Sequence, residues 1–144
     1  MEIRENRCVP IVLSAHEQYL NLLDQLREKT AYIMLVQISG SDGGDPVVEQ
    51  AESCMRRLER NTVQEWPGTV TLGRGGEQYV YAADGAFFDY LKQFPSFFFR
   101  FQDSWGCDGV SDTGFGDDDI AFLDGEQRLL FYTTTHEGDA YLRE

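Results

Sequence analysis

Eight acidic side chains, Asp103, Asp108, Asp112, Asp117, Asp118, Asp119, Asp124 and Glu126, fall within the 27 residues from Phe101 to Gln127, an interval with no lysine or arginine. Carboxylates at this density can ligate a hard cation, share a proton for acid–base catalysis, or create a negative field that steers a cationic partner. For a cation the centre would be Asp117-Asp118-Asp119, but the EF-hand order of acids and glycine is absent, and no metal is assigned. Glycosidic chemistry needs two carboxyls at a fixed separation, which a sequence does not supply. Steering asks only for charge and exposure. Trp105 lies among these acids and several glycines, a composition suited to an aromatic anchor for a Lys- or Arg-rich surface. Asp103, Trp105, Asp108, Asp112, Asp117, Asp118 and Asp119 are therefore the candidate partner-binding residues. The carboxylates would meet Lys or Arg, and Trp105 would fill a pocket.

Other chemistries find less support. Cys107 with His136 is the one nucleophile and base that could be paired, and nothing near Cys107 in sequence supplies a positive charge or helix N-terminus to activate a thiol. Gly73-Arg74-Gly75-Gly76 and Gly40-Ser41-Asp42-Gly43-Gly44 lack phosphate-loop spacing, and Asp42 and Asp45 would repel phosphate; turn chemistry accounts for these glycines. The three cysteines, Cys8, Cys54 and Cys107, form no CxxC pair and read as reduced thiols. No cofactor is implied, and a non-enzymatic role is expected.

The net charge of −13 argues against nucleic acid and anionic membrane as partners and favours a basic protein. It is unevenly spread, −4 over residues 1–72 and −9 over residues 73–144. Neither a signal-type apolar segment near Met1 nor an apolar run of about 20 residues is present, which points to the cytoplasm.

These residues need a scaffold, and 144 residues suit one domain with one core. Ser14-Ala15-His16-Glu17 matches a capping box, and Tyr19, Leu20, Leu22, Leu23 and Leu26 share one face of a helix over 15–29. The apolar run 31–38 predicts a strand buried on both faces. Asp45-Pro46 starts a second helix over about 46–60, with Leu58 on its apolar face. Thr69 to Leu72 and Gln78 to Ala82 read as a hairpin around 73–77, and Asp84 caps a third helix ended by Pro95. An aromatic strand, 97–101, enters a long glycine-rich loop over Asp103 to Asp119. A meander follows, made of 119–123, 129–134 and 140–142. The expected class is α+β, a mainly antiparallel sheet with about three helices packed on one side.

The closing segment Phe131-Tyr132-Thr133-Thr134-Thr135-His136-Glu137-Gly138-Asp139-Ala140-Tyr141, after Asp119-Ile120-Ala121-Phe122-Leu123-Asp124-Gly125, resembles the last hairpins of small immunity proteins from bacterial polymorphic-toxin loci. The resemblance covers about the last quarter of the chain and carries over no functional residue. It implies a cytoplasmic protein that binds one cognate toxin and blocks its active site, many such toxins being nucleases. Two other readings remain at this point: an acidic adaptor or DNA mimic that occupies a DNA-binding protein, and a small enzyme or small-ligand domain.

Overall fold

The computed structural model describes residues 1–38 and 45–144; the glycine-rich turn expected over 39–44 lies outside the described residues. Its elements are β1 (Cys8–Ile11), α1 (His16–Lys29), β2 (Tyr32–Gln37), α2 (Pro46–Cys54), β3 (Arg57–Val63), β4 (Glu65–Trp66), β5 (Thr69–Val70), β6 (Gly76–Ala82), α3 (Gly85–Leu91), β7 (Phe99–Gln102), β8 (Asp108–Ser111), β9 (Asp119–Leu123), β10 (Leu129–Thr134) and β11 (Asp139–Arg143). Seven strands form one antiparallel sheet in the order β1-β11-β10-β9-β2-β6-β3, so the class is α+β as the sequence implied. β9, β10 and β11 are the expected meander.

The run in β2 is buried at Ile33, Met34, Leu35 and Val36 because β2 sits inside the sheet, between β9 and β6, and is covered on both faces. Alternation divides these residues. Ile33 and Leu35 join Tyr79, Tyr81, Ile120, Phe122 and Phe131 under the helices; Met34 and Val36 join Val80, Ala121 and Leu123 on the opposite face, where Trp66 covers them. All three helices contribute to the first cluster, through Leu22, Leu23, Leu26, Val47, Ala51, Phe87, Phe88 and Leu91. Each fully buried aromatic or aliphatic side chain of this kind contributes about 1.5–3 kcal/mol from removed apolar surface.

α2 and α3 start where short polar side chains can take their free N–H groups. Asp45 accepts from Val47 N and Val48 N, and Asp84 from Ala86 N. At α1 the cap lies one residue later than expected: Ala15 is the boundary, and Gln18 rather than Glu17 reaches back to accept from Ser14 N and Ala15 N.

Three expectations are corrected. The second helix stops at Cys54, with Met55 N bonded to Ala51 O. The next residues form edge strand β3 along β6, so Leu58 is 39% exposed and on no helix face. The charged residues Arg57, Glu59 and Arg60 in β3 also protect that edge from further pairing. Thr69 to Leu72 and Gln78 to Ala82 do not pair with each other. Pro67-Gly68, with Gly68 at φ +86°, turns the chain tightly enough for β5 to fold back on β4, leaving β6 free to join β2 and β3. Finally, the segment expected as one loop from Asp103 to Asp119 contains β8, which pairs with β7 in a separate two-stranded ribbon. Among the described residues no helix is long and apolar enough to cross a membrane.

Candidate functional site

The seven candidate residues divide into three surroundings. Asp103, Trp105 and Asp108 stand at the end of the β7–β8 ribbon, and all three are exposed. Asp112, Asp117 and Asp118 border a cleft between the β8–β9 connection and the start of α2. Asp119 points into the interior. The single acidic surface expected from the sequence is therefore not formed by all seven: Asp118 and Asp119 are 7% and 2% exposed, because the start of β9 is covered by the turn after β10 and by Trp66.

The ribbon is built to hold its tip. The Asp103 carboxylate accepts from Trp105 N and Cys107 N, each at 2.9 Å, and Asp103 N donates to Cys107 O. Gly106 takes φ +79°, a conformation in which a Cβ would be strained. With its backbone fixed in this way, the Trp105 indole projects outward and is 88% exposed. Phe101 lies across the strand from Gly109, its ring occupying the space a side chain there would fill, and remains 49% exposed. At its base the ribbon is tied to the sheet by Arg100, 3.5 Å from Asp139, and by packing of Arg100 and Val110 over Gly138.

Asp103 thus shapes the tip as well as charging it. Replacing Asp103 by Ala should leave global stability nearly unchanged and loosen the turn by about 1 kcal/mol. The measurement is hydrogen exchange at the Trp105 and Cys107 amides, which should become faster while sheet amides keep their protection.

The connection after β8 is pinned from below. Phe115, 2% exposed, inserts between Phe94 and Phe97, with ring centroids 5.8 and 5.2 Å away. The Asp112 carboxylate accepts from Gly114 N at 2.9 Å and Gly116 N at 3.1 Å, and Thr113 Oγ1 donates to Ser96 O at 2.6 Å. Beside this anchored loop is a cleft of about 330 Å³, walled by Asp112, Asp117, Asp118, Asp45, Phe115 and Ile38. Burial, the facing Asp45 carboxyl and the charges of Asp119 and Asp117 push the Asp118 carboxyl up to about 9, so it holds a proton at neutral pH. Its side chain shares a hydrogen bond with that of Asp45, and among the described residues no N–H or hydroxyl donor reaches its buried Oδ2.

Asp119 is held differently. Its Oδ2 accepts from Trp66 Nε1 and its Oδ1 from Thr135 N, both at 2.8 Å. Burial pushes this carboxyl up, while the two donors pull it down, leaving a net upward shift. Thr135 Oγ1 donates to Asp118 O at 2.7 Å and lies 2.8 Å from Thr133 Oγ1, which accepts from Ile120 N. This network fastens the β4–β5 hairpin and the turn after β10 to the same end of β9.

Asp45 enters the cleft without having been singled out as a site residue, since Asp-Pro before an apolar repeat signals only a helix cap. Trp66 as the partner of Asp119 has no sequence signal, the two being 53 residues apart. Cys107 is an exposed free thiol at the ribbon tip and makes no hydrogen bond to His136 among the described residues. Nor do the described residues gather three His, Cys, Asp or Glu side chains in an arrangement that could hold a metal ion. A wider open groove of about 1050 Å³ lies on the helix-free face, bordered by Trp66, Tyr132, Arg4 and Val70. None of the seven candidates lines it, and the strongly shifted carboxyl and the exposed tryptophan are both elsewhere. The ribbon tip and the acidic cleft are accordingly the candidate site. No protein-family model, curated protein or solved structure matches the chain.

Proposed function

We propose that this chain is a non-enzymatic binding protein that docks its acidic, tryptophan-tipped ribbon on a basic enzyme and blocks it, as an immunity protein does to its cognate toxin. The observation that carries this reading is Trp105. A tryptophan held 88% exposed by a turn whose capping group is itself a carboxylate has no role in the core. An amphipathic ring of this size, presented on a fixed backbone, loses little conformational entropy when a partner buries it. Asp108 stands on the same ribbon, and Asp112 and Asp117 are exposed on the connection that follows. Their field favours a cationic surface such as the phosphate-binding site of a nuclease. Four exposed aspartates in two groups suit a compact docking surface better than mimicry of a duplex, which needs charge at regular intervals along one long face.

The test is binding to the protein encoded by the adjacent gene, at low and high salt. Association should slow as salt rises, and Trp105→Ala should weaken affinity about tenfold through faster dissociation, with thermal stability unchanged. If that protein binds neither at low nor at high salt, or binds the Trp105→Ala variant equally well, the reading fails.

A further inference from the structure

Two stretches of chain cross the helix-free face of the sheet from β3 to β10. The N-terminal segment runs from Met1, which meets Glu59 of β3, past Ile3, packed on the second core cluster, to Asn6, bonded to Leu129 of β10. The β4–β5 hairpin leaves the other end of β3 and brings Gly68 against Tyr132 and Thr134 of β10. Between these two walls is the open groove of about 1050 Å³, with Asn61 of β3, Gln78 of β6 and Tyr132 of β10 along its floor. Gln78 is 7% exposed, yet among the described residues its side-chain amide bonds to nothing, and it borders this groove. Asn61 stands directly opposite Gln78 in the register of β3 with β6, and among the described residues its amide is also without a partner. A nearly buried amide left unbonded is costly, and a ligand that bonded it would remove that cost. The Trp66 indole N–H is taken by Asp119, so Trp66 offers the groove only ring surface, beside Val63, Leu129 and Ile3.

We infer that this groove binds an extended, uncharged peptide segment of a partner protein, held through its backbone by the side-chain amides of Gln78 and Asn61. A primary amide offers a donor and an acceptor side by side, the complement of the N–H and C=O of one extended residue. The chain already uses this pairing within itself: the Asn6 amide donates to Leu129 O at 2.8 Å and accepts from Leu129 N at 2.9 Å. Charge favours an uncharged segment. Two arginines, Arg4 and Arg7, and two glutamates, Glu5 and Glu65, border the groove, an even balance on a chain of net charge −13. The groove therefore lacks the field that draws a basic surface to the ribbon. A compact small molecule fits less well, because pockets for such ligands enclose most of their surface and this groove is open. An extended chain needs only a floor and two walls, with alternate side chains directed at Trp66 and Tyr132 and at solvent. The inference is independent of what the ribbon binds, since none of the ribbon residues borders the groove.

The experiment is an NMR titration of the whole chain with acetyl-Thr-Val-Thr-Val-Thr-amide, followed at the side-chain NH₂ signals of Gln78 and Asn61 and the indole N–H signal of Trp66. All three should shift saturably while the Trp105 indole signal stays in place. Gln78→Leu, which keeps the site filled, should weaken binding about tenfold. Asn61→Ala, on the exposed edge strand, should weaken it several-fold and carries the same test if the leucine variant does not fold. The same peptide N-methylated at its central residue should bind about tenfold more weakly, as backbone recognition requires. Trp105→Ala should bind as the native chain does, so the groove stands or falls apart from the ribbon. Absence of saturable shifts in the native chain, undiminished binding in the folded variants, equal binding of the N-methylated peptide, loss of binding in Trp105→Ala, or tighter binding of a peptide with Lys in place of Thr would each overturn the inference.

Discussion

Replacing Asp118 by Asn is expected to stabilise the fold at pH 8 by on the order of 3–5 kcal/mol and to flatten its stability between pH 5 and 9. The sign follows from the proton count. Below about pH 4 the Asp118 carboxyl is protonated in both the folded and the unfolded chain, and its contribution is fully present. Above that, the unfolded chain releases the proton, whereas the folded chain keeps it until about pH 9. Stability is therefore lost at about 1.4 kcal/mol per pH unit across this window. Glu77 acts in the opposite sense, its carboxyl held low by hydrogen bonds from Arg60 and Thr62, but its contribution is lost only as pH falls below the ordinary carboxylate range. Asn retains the shape of Asp118 and has nothing to ionise. Urea unfolding of both proteins from pH 5 to 9 decides the matter: the native midpoint should fall steeply as pH rises, and that of the variant should fall less steeply, by what Asp119, whose carboxyl is also pushed up, contributes. Parallel curves would mean that Asp118 does not carry this linkage.

What could be read from the sequence follows how local each determinant is. The strand from Tyr32 to Gln37, the caps at Asp45 and Asp84 and the closing meander depend on neighbouring residues, and they stand where periodicity and turn chemistry put them. Leu58 misled because its spacing from Met55 and Ala51 fits a helix as well as an edge strand; pairing with β6, some 20 residues away, decides between them. The acid-rich tract looked like a loop because glycine and aspartate are poor strand formers. The Asp103 turn brings Phe101 over Gly109, and that cross-strand contact makes a ribbon of it. Exposure at the tip is partly legible, since Trp105 sits among Asp103, Ser104, Gly106, Cys107 and Asp108, with no large apolar neighbour. Burial of Asp118 and Asp119 is not. It depends on Trp66, on the turn at Thr135 and on Asp45, contacts that sequence distance conceals.

Asp119 gives the second large effect, and its sign is opposite. Asp119→Asn is expected to destabilise the protein by about 2–3 kcal/mol near neutral pH. Its two carboxylate oxygens accept from two different N–H donors, the Trp66 indole and the Thr135 backbone. An asparagine keeps one acceptor oxygen and turns its NH₂ towards the other donor, leaving one buried N–H facing another with no acceptor between them. The lower cost of burying a neutral group, which the upward shift of the Asp119 carboxyl reflects, offsets part of this but not the clash of two buried N–H groups. The change should be read in two ways: a lower urea midpoint, and a red shift of Trp66 emission, separated from that of Trp105 in a Trp105→Phe background, as the β4–β5 hairpin loosens. Adjacent carboxyls should thus respond in opposite directions to one isosteric change. Asp118 faces another carboxyl, Asp45, and gains from neutralisation, while Asp119 lies between two N–H donors and loses by it. A variant pair that shifted stability in the same direction would show that burial alone, and not the placement of donors, governs this end of β9.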